Sequence, residues 1–509
     1  MPRISCHTLG CKLNYAETCT IEREFLRRGF KPVAFGSPAE VTVINTCTVT
    51  AAAEHKCRAA IRKARRTSPQ AFLIVTGCYA QLRPRELAAI SGVDAVLGQG
   101  EKLRLFELLE SFNRPVAPLV AVSCTGDLKE FGPSHSSGAR TRAFLKIQDG
   151  CDYKCSFCTI PLARGPSRSQ PLAATVAQAR ELAALGYKEI VLTGVNVGLY
   201  GRRHGTSLCD LVRVLERVDG IERFRISSIE PNLLSDALID LVAGSEKFVP
   251  HFHLPLQSGD NQVLGAMRRL YRRELYAERV ERILRLLPEA CIGADVIVGF
   301  PAEDQSRFES TVAFLRELPL GYLHVFSYSE RAGTVAVEQL GRLGHSVPPA
   351  ERERRSLLLR RLSQEKRRDF YRRQLGAVRQ VLWEHPQPDR RSYGYTDNYI
   401  QVVAADGPRL QGQLEAVRLE ALTADGMVAA RSARETGTGT EFPRRPGNRQ
   451  RRAGNSVPVP ERKGEGSGLV PEPSQAGSGG RNPEAGWGVA TGCSPGSDRC
   501  RPCRRTASC

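Results

Sequence analysis

Cys151-Asp152-Tyr153-Lys154-Cys155-Ser156-Phe157-Cys158 decides how this chain is read. The stretch follows a short β-rich run at 143–147 and a turn at Gly150. Three thiolates at this spacing can hold three corners of a cubane iron–sulfur cluster, whose complete set is about four thiolates. Only three lie together here, which leaves one iron open to another ligand. Zinc is the competing reading of such cysteines, but structural zinc sites usually pair Cys-x-x-Cys units and close about four ligands.

Working outward, residues 140–345 alternate strand and helix patterns. Strands are expected at 143–147, 189–193, 223–227, 251–254, 293–298 and 323–327, with helices such as 173–185 and 208–218 between them. Repeated βα units of this length imply a parallel barrel or partial barrel. Upstream, β-rich runs at 41–44 and 72–75 flank a helical stretch at 51–66, which reads as a small parallel α/β domain over 1–125. Cys11, Cys47 and Cys78 each follow a β-like segment. Parallel strands end on one edge, so these three thiols can converge there. Free cysteines are otherwise often buried small hydrophobes, and Cys57 and Cys124 are read that way. Residues 126–140, with Gly132-Pro133-Ser134-His135-Ser136-Ser137-Gly138, read as a linker before the 141–350 domain.

Downstream, 351–375 is a helix with ten Lys/Arg and four Asp/Glu. It reads as a phosphate-contacting element or a solvated face. Residues 376–432 carry short strands at 377–384, 399–403, 413–422 and 427–430, which suit a small β-barrel. The Gly/Pro-rich tail, 433–509, is expected to be disordered. Its Cys493, Cys500, Cys503 and Cys509 admit a zinc reading but sit in no recognisable module.

The chain has 509 residues, a net charge of +19 and 16 cysteines. No apolar run approaches the ~18 residues of a membrane helix. The start, Met1 to Cys11, shows no charged-then-apolar leader. A cytoplasmic location without membrane association is therefore expected, where many cysteines mean metal or redox chemistry more often than disulfides. The positive charge points weakly to a polyanionic partner.

The Cys-x-x-x-Cys-x-x-Cys loop after the first barrel strand resembles the radical S-adenosylmethionine superfamily. The resemblance implies that Cys151, Cys155 and Cys158 hold a 4Fe–4S cluster whose open iron chelates S-adenosylmethionine. An electron from that cluster would then generate a 5′-deoxyadenosyl radical. It also implies cofactor contacts at Phe157, Thr193, Gly194, Ser228, Glu230 and Gly299, although each glycine equally suits an ordinary turn.

With the N-terminal cysteines included, residues 1–432 resemble the methylthiotransferases, which carry a second 4Fe–4S cluster, here on Cys11, Cys47 and Cys78. His253-Leu254-Pro255-Leu256-Gln257-Ser258-Gly259-Asp260, then Met267-Arg268-Arg269-Leu270-Tyr271-Arg272-Arg273, fit that family. Gly394-Tyr395-Thr396-Asp397-Asn398-Tyr399-Ile400 resembles part of a TRAM domain, a small RNA-binding barrel. Gly10-Cys11-Lys12-Leu13-Asn14 with Glu17-Thr18, and Cys158 to Gly165 followed by Ser167-Arg168-Ser169, resemble the threonylcarbamoyladenosine group. Cys19 and Thr20 depart from that group's usual residues, but they flank a ligand rather than replace one.

The implied activity is methylthiolation of carbon 2 of N6-threonylcarbamoyladenosine at position 37 of tRNA, beside the anticodon. One S-adenosylmethionine would supply the methyl group and a second the radical. The alternatives are isopentenyladenosine in tRNA, an aspartate of a ribosomal protein, or a non-catalytic metal-stabilised RNA-binding protein. The implied partners are the tRNA anticodon loop, an electron donor such as flavodoxin or ferredoxin, and a sulfur source for the second cluster. Arg164 and Arg168 are the expected RNA contacts, with structural ion pairing as the other reading. No catalytic residue beyond the cluster ligands is assigned.

Overall fold

A computed structural model describes residues 1–433 apart from 137, 139, 385–390, 406–408 and 410. The expected disorder of the tail and the fate of its four cysteines lie outside the described residues.

The N-terminal sheet is parallel throughout. Its strands are β1 (Arg3–Thr8), β2 (Lys31–Val33), β3 (Val41–Thr46), β4 (Phe72–Gly77), β5 (Ala95–Leu97) and β6 (Leu119–Ala121), in the order β2-β1-β3-β4-β5-β6. Every residue of β3 and β4 is buried, as befits central strands covered on both faces. Alternate side chains serve two cores. Ile44, Leu73 and Val75 pack with Cys57 and Ile61 of the helix Ala51–Thr67. Val41, Val43, Phe72 and Ile74 pack with Ile21 and Phe25 of the helix Lys12–Arg27. Thr8, Asn45 and Thr76 align in register, so the three strands end together.

The linker expected at 126–140 is partly structured. Ser134–His135 forms β7, antiparallel to β8 (Ala143–Lys146), because both of its residues are buried against the central domain. After β8 come β9 (Gln148–Asp149), β10 (Arg168–Ser169), β11 (Glu189–Thr193), β12 (Arg223–Ile226), β13 (His251–Gln257), β14 (Cys291–Val298) and β15 (Tyr322–Ser327). The parallel strands form two sets, β12-β11-β8 and β13-β14-β15. The sets meet where Phe224 bridges Phe248 and where the Ile229 N–H donates to the His253 carbonyl at 3.1 Å. This is an open partial barrel around one continuous apolar core.

The basic helix runs Pro349–Arg373. It is not a free rod. Leu359 and Leu362 are buried in the barrel core, and Ser363 Oγ both accepts from the Leu323 N–H and donates to the Leu323 carbonyl, at 2.9 Å each. The helix therefore covers the last strand, β15, and only its outer face is open to a phosphate.

The C-terminal module is a closed barrel of β16 (Val378–Trp383), β17 (Tyr393–Thr396), β18 (Gln401–Ala404), β19 (Leu414–Leu422) and β20 (Val428–Ser432), in the order β16-β17-β18-β20-β19. Sequence reading supplies four of these strands and misses Tyr393–Thr396, whose Tyr-Gly-Tyr-Thr carries too little aliphatic signal. The barrel core packs on Cys291 and Tyr322 of the central domain.

Candidate functional site

The central cysteines lie on the loop between β9 and β10. Gly150 starts that loop at φ +70°, and a Cβ there would lie 2.1 Å from the Pro166 carbonyl oxygen, so only glycine fits. Each of the three half-buried sulfurs accepts an N–H. Tyr153 N donates to Cys151 at 3.4 Å, Ile160 N to Cys158 at 3.5 Å, and Arg269 Nη1 to Cys155 at 3.0 Å. Arg269 also pairs with Glu230. Ser156 anchors the loop to the Met267 and Ala266 carbonyls, at 3.0 and 2.8 Å. Burial pushes the Cys151 and Cys158 thiols up to about 12, with the neighbouring thiol Cys155 adding to it. Such a set stays protonated alone, and a bound metal cluster reverses that preference. Three sulfurs with N–H donors aimed at them fit an iron–sulfur cluster.

In the N-terminal domain, Cys11 is the residue before the helix Lys12–Arg27, Cys47 follows β3, and Cys78 opens the helix Cys78–Leu82 after β4. A Cβ on Gly10, at φ +101°, would lie 3.0 Å from Cys47 Sγ, so this glycine lets the first thiol approach the second. Burial raises the Cys47 thiol to about 12, and the charges of Cys78 and Cys11 add to the rise. All three cysteines lie where the strands β1, β3 and β4 end, on one edge of the sheet. Gln99 Nε2 donates to Cys78 Sγ at 3.4 Å. Cys57 is buried, as read, whereas Cys124 is exposed.

Arg164 and Arg168 need correction. Their relative exposures are 1% and 6%, so neither reaches an RNA surface. Arg164 donates to Glu17 at 3.1 Å, to Asp149 at 2.8 Å and to the Asn14 side-chain oxygen at 2.6 Å. Lys146 pairs with both carboxylates at 2.8 and 2.7 Å, and Lys102 with Glu17 at 2.5 Å. Arg168 lies 3.5 Å from Asp149 and donates to the Arg164 and Pro166 carbonyls. This buried network joins the N-terminal domain, through Asn14, Glu17 and Lys102, to the loop region of the central cysteines. Four cations face two carboxylates, and Arg164 opposes the rise of the Cys78 thiol. The excess positive charge beside the N-terminal thiols suits an anionic group there.

Between the two domains and the C-terminal barrel lies a cleft of about 450 Å³. Cys11, Lys12, Thr193, Gly194, Ser228 and Tyr399 are among its walls. Of the positions expected to contact a cofactor, Thr193, Gly194 and Ser228 face this cleft. Glu230 is turned to Arg269, Phe157 packs against the cluster of Met267, Phe300 and Tyr328, and the Gly299 N–H donates to Glu303 at 2.7 Å.

Sequence reading gave no role to a polar relay in the cleft. Asp295 Oδ1 accepts from His253 Nε2 at 2.9 Å and lies 3.2 Å from His324 Nδ1, while His253 Nδ1 meets Ser228 Oγ at 2.6 Å. Asp295 is consequently held well below the usual carboxylate range, against the effect of burial. Tyr399 has φ +69°, a strained setting for a bulky residue, and its ring lies 4.5 Å from His251 and 5.1 Å from Tyr395. This wall offers a nucleobase a stacking surface. The relay was hidden because its members come from three strands far apart in the chain.

A thiol loop beside the strand ends of a parallel partial barrel, with a cleft at those ends, defines a radical S-adenosylmethionine enzyme, dependent on that cofactor and a 4Fe–4S cluster. Residues 145–315 match the Radical SAM superfamily, and residues 3–98 match the family described as Uncharacterized protein family UPF0004. Threonylcarbamoyladenosine tRNA methylthiotransferase MtaB of Bacillus subtilis is 37% identical over 425 residues, 82% of this chain and 94% of the relative. The MtaB protein of Aquifex aeolicus is 38% identical over 403 residues, 79% and 96% of the two chains. A tRNA-2-methylthio-N(6)-dimethylallyladenosine synthase of Syntrophotalea carbinolica is 32% identical over 423 residues, 81% and 95%. The chain belongs to the MtaB family of radical S-adenosylmethionine methylthiotransferases.

Proposed function

We propose that the protein methylthiolates carbon 2 of N6-threonylcarbamoyladenosine at position 37 of tRNA. One observation carries this reading: Cys11 shares a cleft with the strand-end residues Thr193, Gly194 and Ser228. A base entering that cleft would lie between the N-terminal cysteine set and the strand ends that would hold S-adenosylmethionine. Cys151, Cys155 and Cys158 would hold one 4Fe–4S cluster, and Cys11, Cys47 and Cys78 a second. Thr193, Gly194 and Ser228 would line the S-adenosylmethionine site. Phe157, Glu230 and Gly299 would support it from behind, Glu230 through Arg269. When bound, the clusters and S-adenosylmethionine supply the radical and sulfur chemistry.

The chain's own residues orient and enclose. Arg269 holds Cys155 in place through its N–H···S bond, and the Arg164 network keeps the two cysteine sets in a fixed relation. Tyr399, backed by the buried His251 ring, stacks the base. The C-terminal barrel acts as a TRAM-like RNA-binding module, and the outer face of the helix Pro349–Arg373 contacts phosphates. An anticodon loop suits such a cleft, because its bases can be unstacked and presented singly. A flavodoxin or ferredoxin would deliver electrons, and a separate sulfur source would refill the second cluster. The setting is cytoplasmic; no helix among the described residues is long and apolar enough to cross a membrane.

Mass spectrometry of tRNA nucleosides from a deletion strain, with and without this gene, tests the reading. The 2-methylthio derivative of threonylcarbamoyladenosine should return on complementation. If it does not, the substrate assignment fails. Anaerobically purified protein should carry roughly eight irons per chain, and zinc without iron would refute the enzyme reading.

A further inference from the structure

The cleft holds more positive charge than its own carboxylates neutralise. Arg225 lines it and is tied to Glu189 at 3.0 Å, Arg142 is tied to Glu384 at 2.8 Å, and Asp295 is occupied by two histidines. Among the described residues, Lys12 and Arg140 have no carboxylate partner. Both lie over the Phe144 ring, at 5.9 and 5.5 Å from its centroid, and Arg140 also lies 4.4 Å over the Tyr15 ring and hydrogen-bonds to Tyr15, so two cations without a carboxylate share one aromatic floor. Behind them, Arg225 is 2% exposed and leaves its Nη1 without an acceptor. Lys12 also directly follows Cys11 in the chain.

We infer that Lys12 and Arg140 form a carboxylate subsite that binds the threonyl carboxylate of the substrate base. The inference rests on the threonylcarbamoyladenosine reading and deepens it. The threonylcarbamoyl arm carries the only anionic group on that base, whereas an isopentenyl arm carries none. An unpaired ammonium beside a cleft gains little from an apolar arm and much from a carboxylate, because charge-assisted hydrogen bonds are the strong ones. Lys12 therefore selects the arm and, by its place next to Cys11, holds the base against the N-terminal cysteine set. A phosphate of the RNA backbone offers the same charge, so the test separates the two anions.

The probes are two anticodon stem-loop RNAs, one with threonylcarbamoyladenosine and one with its threoninamide analogue, of equal size but without the carboxylate. Their dissociation constants are measured by fluorescence anisotropy on the full chain with both clusters reconstituted under anaerobic conditions. The unmutated protein should prefer the acid by about tenfold or more, as expected for a hydrogen bond to a charged group. Lys12→Met should erase that preference and leave amide binding within about twofold, while Lys12→Arg should keep it. Arg140→Gln should reduce the preference partially. Comparing the two RNAs on unmutated protein needs no variant to fold. If that protein methylthiolates the acid RNA yet binds acid and amide alike, the subsite is refuted and the substrate reading stands. Equal weakening of both RNAs by Lys12→Met also refutes it, in favour of a backbone phosphate. If the unmutated protein leaves the acid RNA unmodified and modifies an isopentenyladenosine RNA, the substrate reading fails and the subsite with it.

Discussion

Glu17→Gln is the sharpest probe of the interface between the two cysteine-bearing domains. Glu17 is fully buried and accepts from Lys102 at 2.5 Å, Lys146 at 2.8 Å and Arg164 at 3.1 and 3.2 Å. Glutamine keeps the shape and removes the charge, leaving Lys102, Lys146, Arg164 and Arg168 with Asp149 as their sole carboxylate. Breaking a buried ion pair by removing one partner costs about 3–5 kcal/mol. That is a large part of the ~5–15 kcal/mol that holds a typical domain together. A chain with several domains does not unfold in two states, so the cost is best read locally. Hydrogen-exchange mass spectrometry on the full chain should show the protected amides of the helix Lys12–Arg27 and of β8 exchanging roughly 10²- to 10⁴-fold faster in the variant. Glu17→Asp, which keeps the charge on a shorter arm, should lose less. The three surrounding cations hold the folded carboxyl well below 4.5. Its stabilisation is therefore present above pH 4.5 and is lost as pH falls through the folded value; Glu17→Gln should flatten that part of the acid slope. Exchange within about threefold of the unmutated protein in both segments would refute the network as a structural joint.

Three further outcomes follow from the same structure. Gly10→Ala, forced to φ +101° with its Cβ 3.0 Å from Cys47 Sγ, should lower iron from roughly eight to about four per chain; full iron content would show that the N-terminal thiols do not need this close approach. Arg269→Met together with Glu230→Gln removes the donor to Cys155 without stranding a charge. A net hydrogen bond of about 1 kcal/mol corresponds to about 40 mV for one electron, so the central cluster's potential, followed by electron paramagnetic resonance, should fall by that order, and an unchanged potential refutes the N–H···S role. His135 is buried, and burial, followed by the charges of Arg23 and Arg27, lowers it from 6.5 to about 4. The folded chain then refuses a proton that the unfolded chain accepts, so stability should fall by up to about 3 kcal/mol as pH drops from 6.5 toward 4. His135→Gln should remove that contribution, read as the pH dependence of hydrogen exchange in the amides of β7 and β8 across the window, and an unaltered pH profile would contradict it.

Much of the site is legible in the chain because its signals are local. Cys151 to Cys158 declares a three-thiolate loop by spacing alone, and Cys11, Cys47 and Cys78 follow β-rich runs whose parallel pairing makes convergence a consequence of topology. The β-rich runs of the central domain are also local, and the strands at 189–193 and 323–327 could be placed closely from them. Other features depend on residues that no short window contains. Arg164 looks like an RNA contact when only its charge and its nearness to the central cysteines are considered. Burial against Glu17, which is 147 positions away, reverses that reading. Tyr393–Thr396 carries little strand signal of its own, and closure of the C-terminal barrel makes it a strand.

The sequence by itself determined the class of chemistry and the fold class, and it singled out the two cysteine sets proposed as ligands, because metal-ligand spacing and strand periodicity are encoded over a few residues. Tertiary structure alone decided which charges are spent. It turned Arg164 and Arg168 into a buried joint between domains, gathered His253, Asp295 and His324 from three strands into one relay, and left Lys12 and Arg140 facing the cleft without a carboxylate. The physical reason is that an ion's role depends on its desolvation and on the counter-charges around it, and both are set only when distant segments pack.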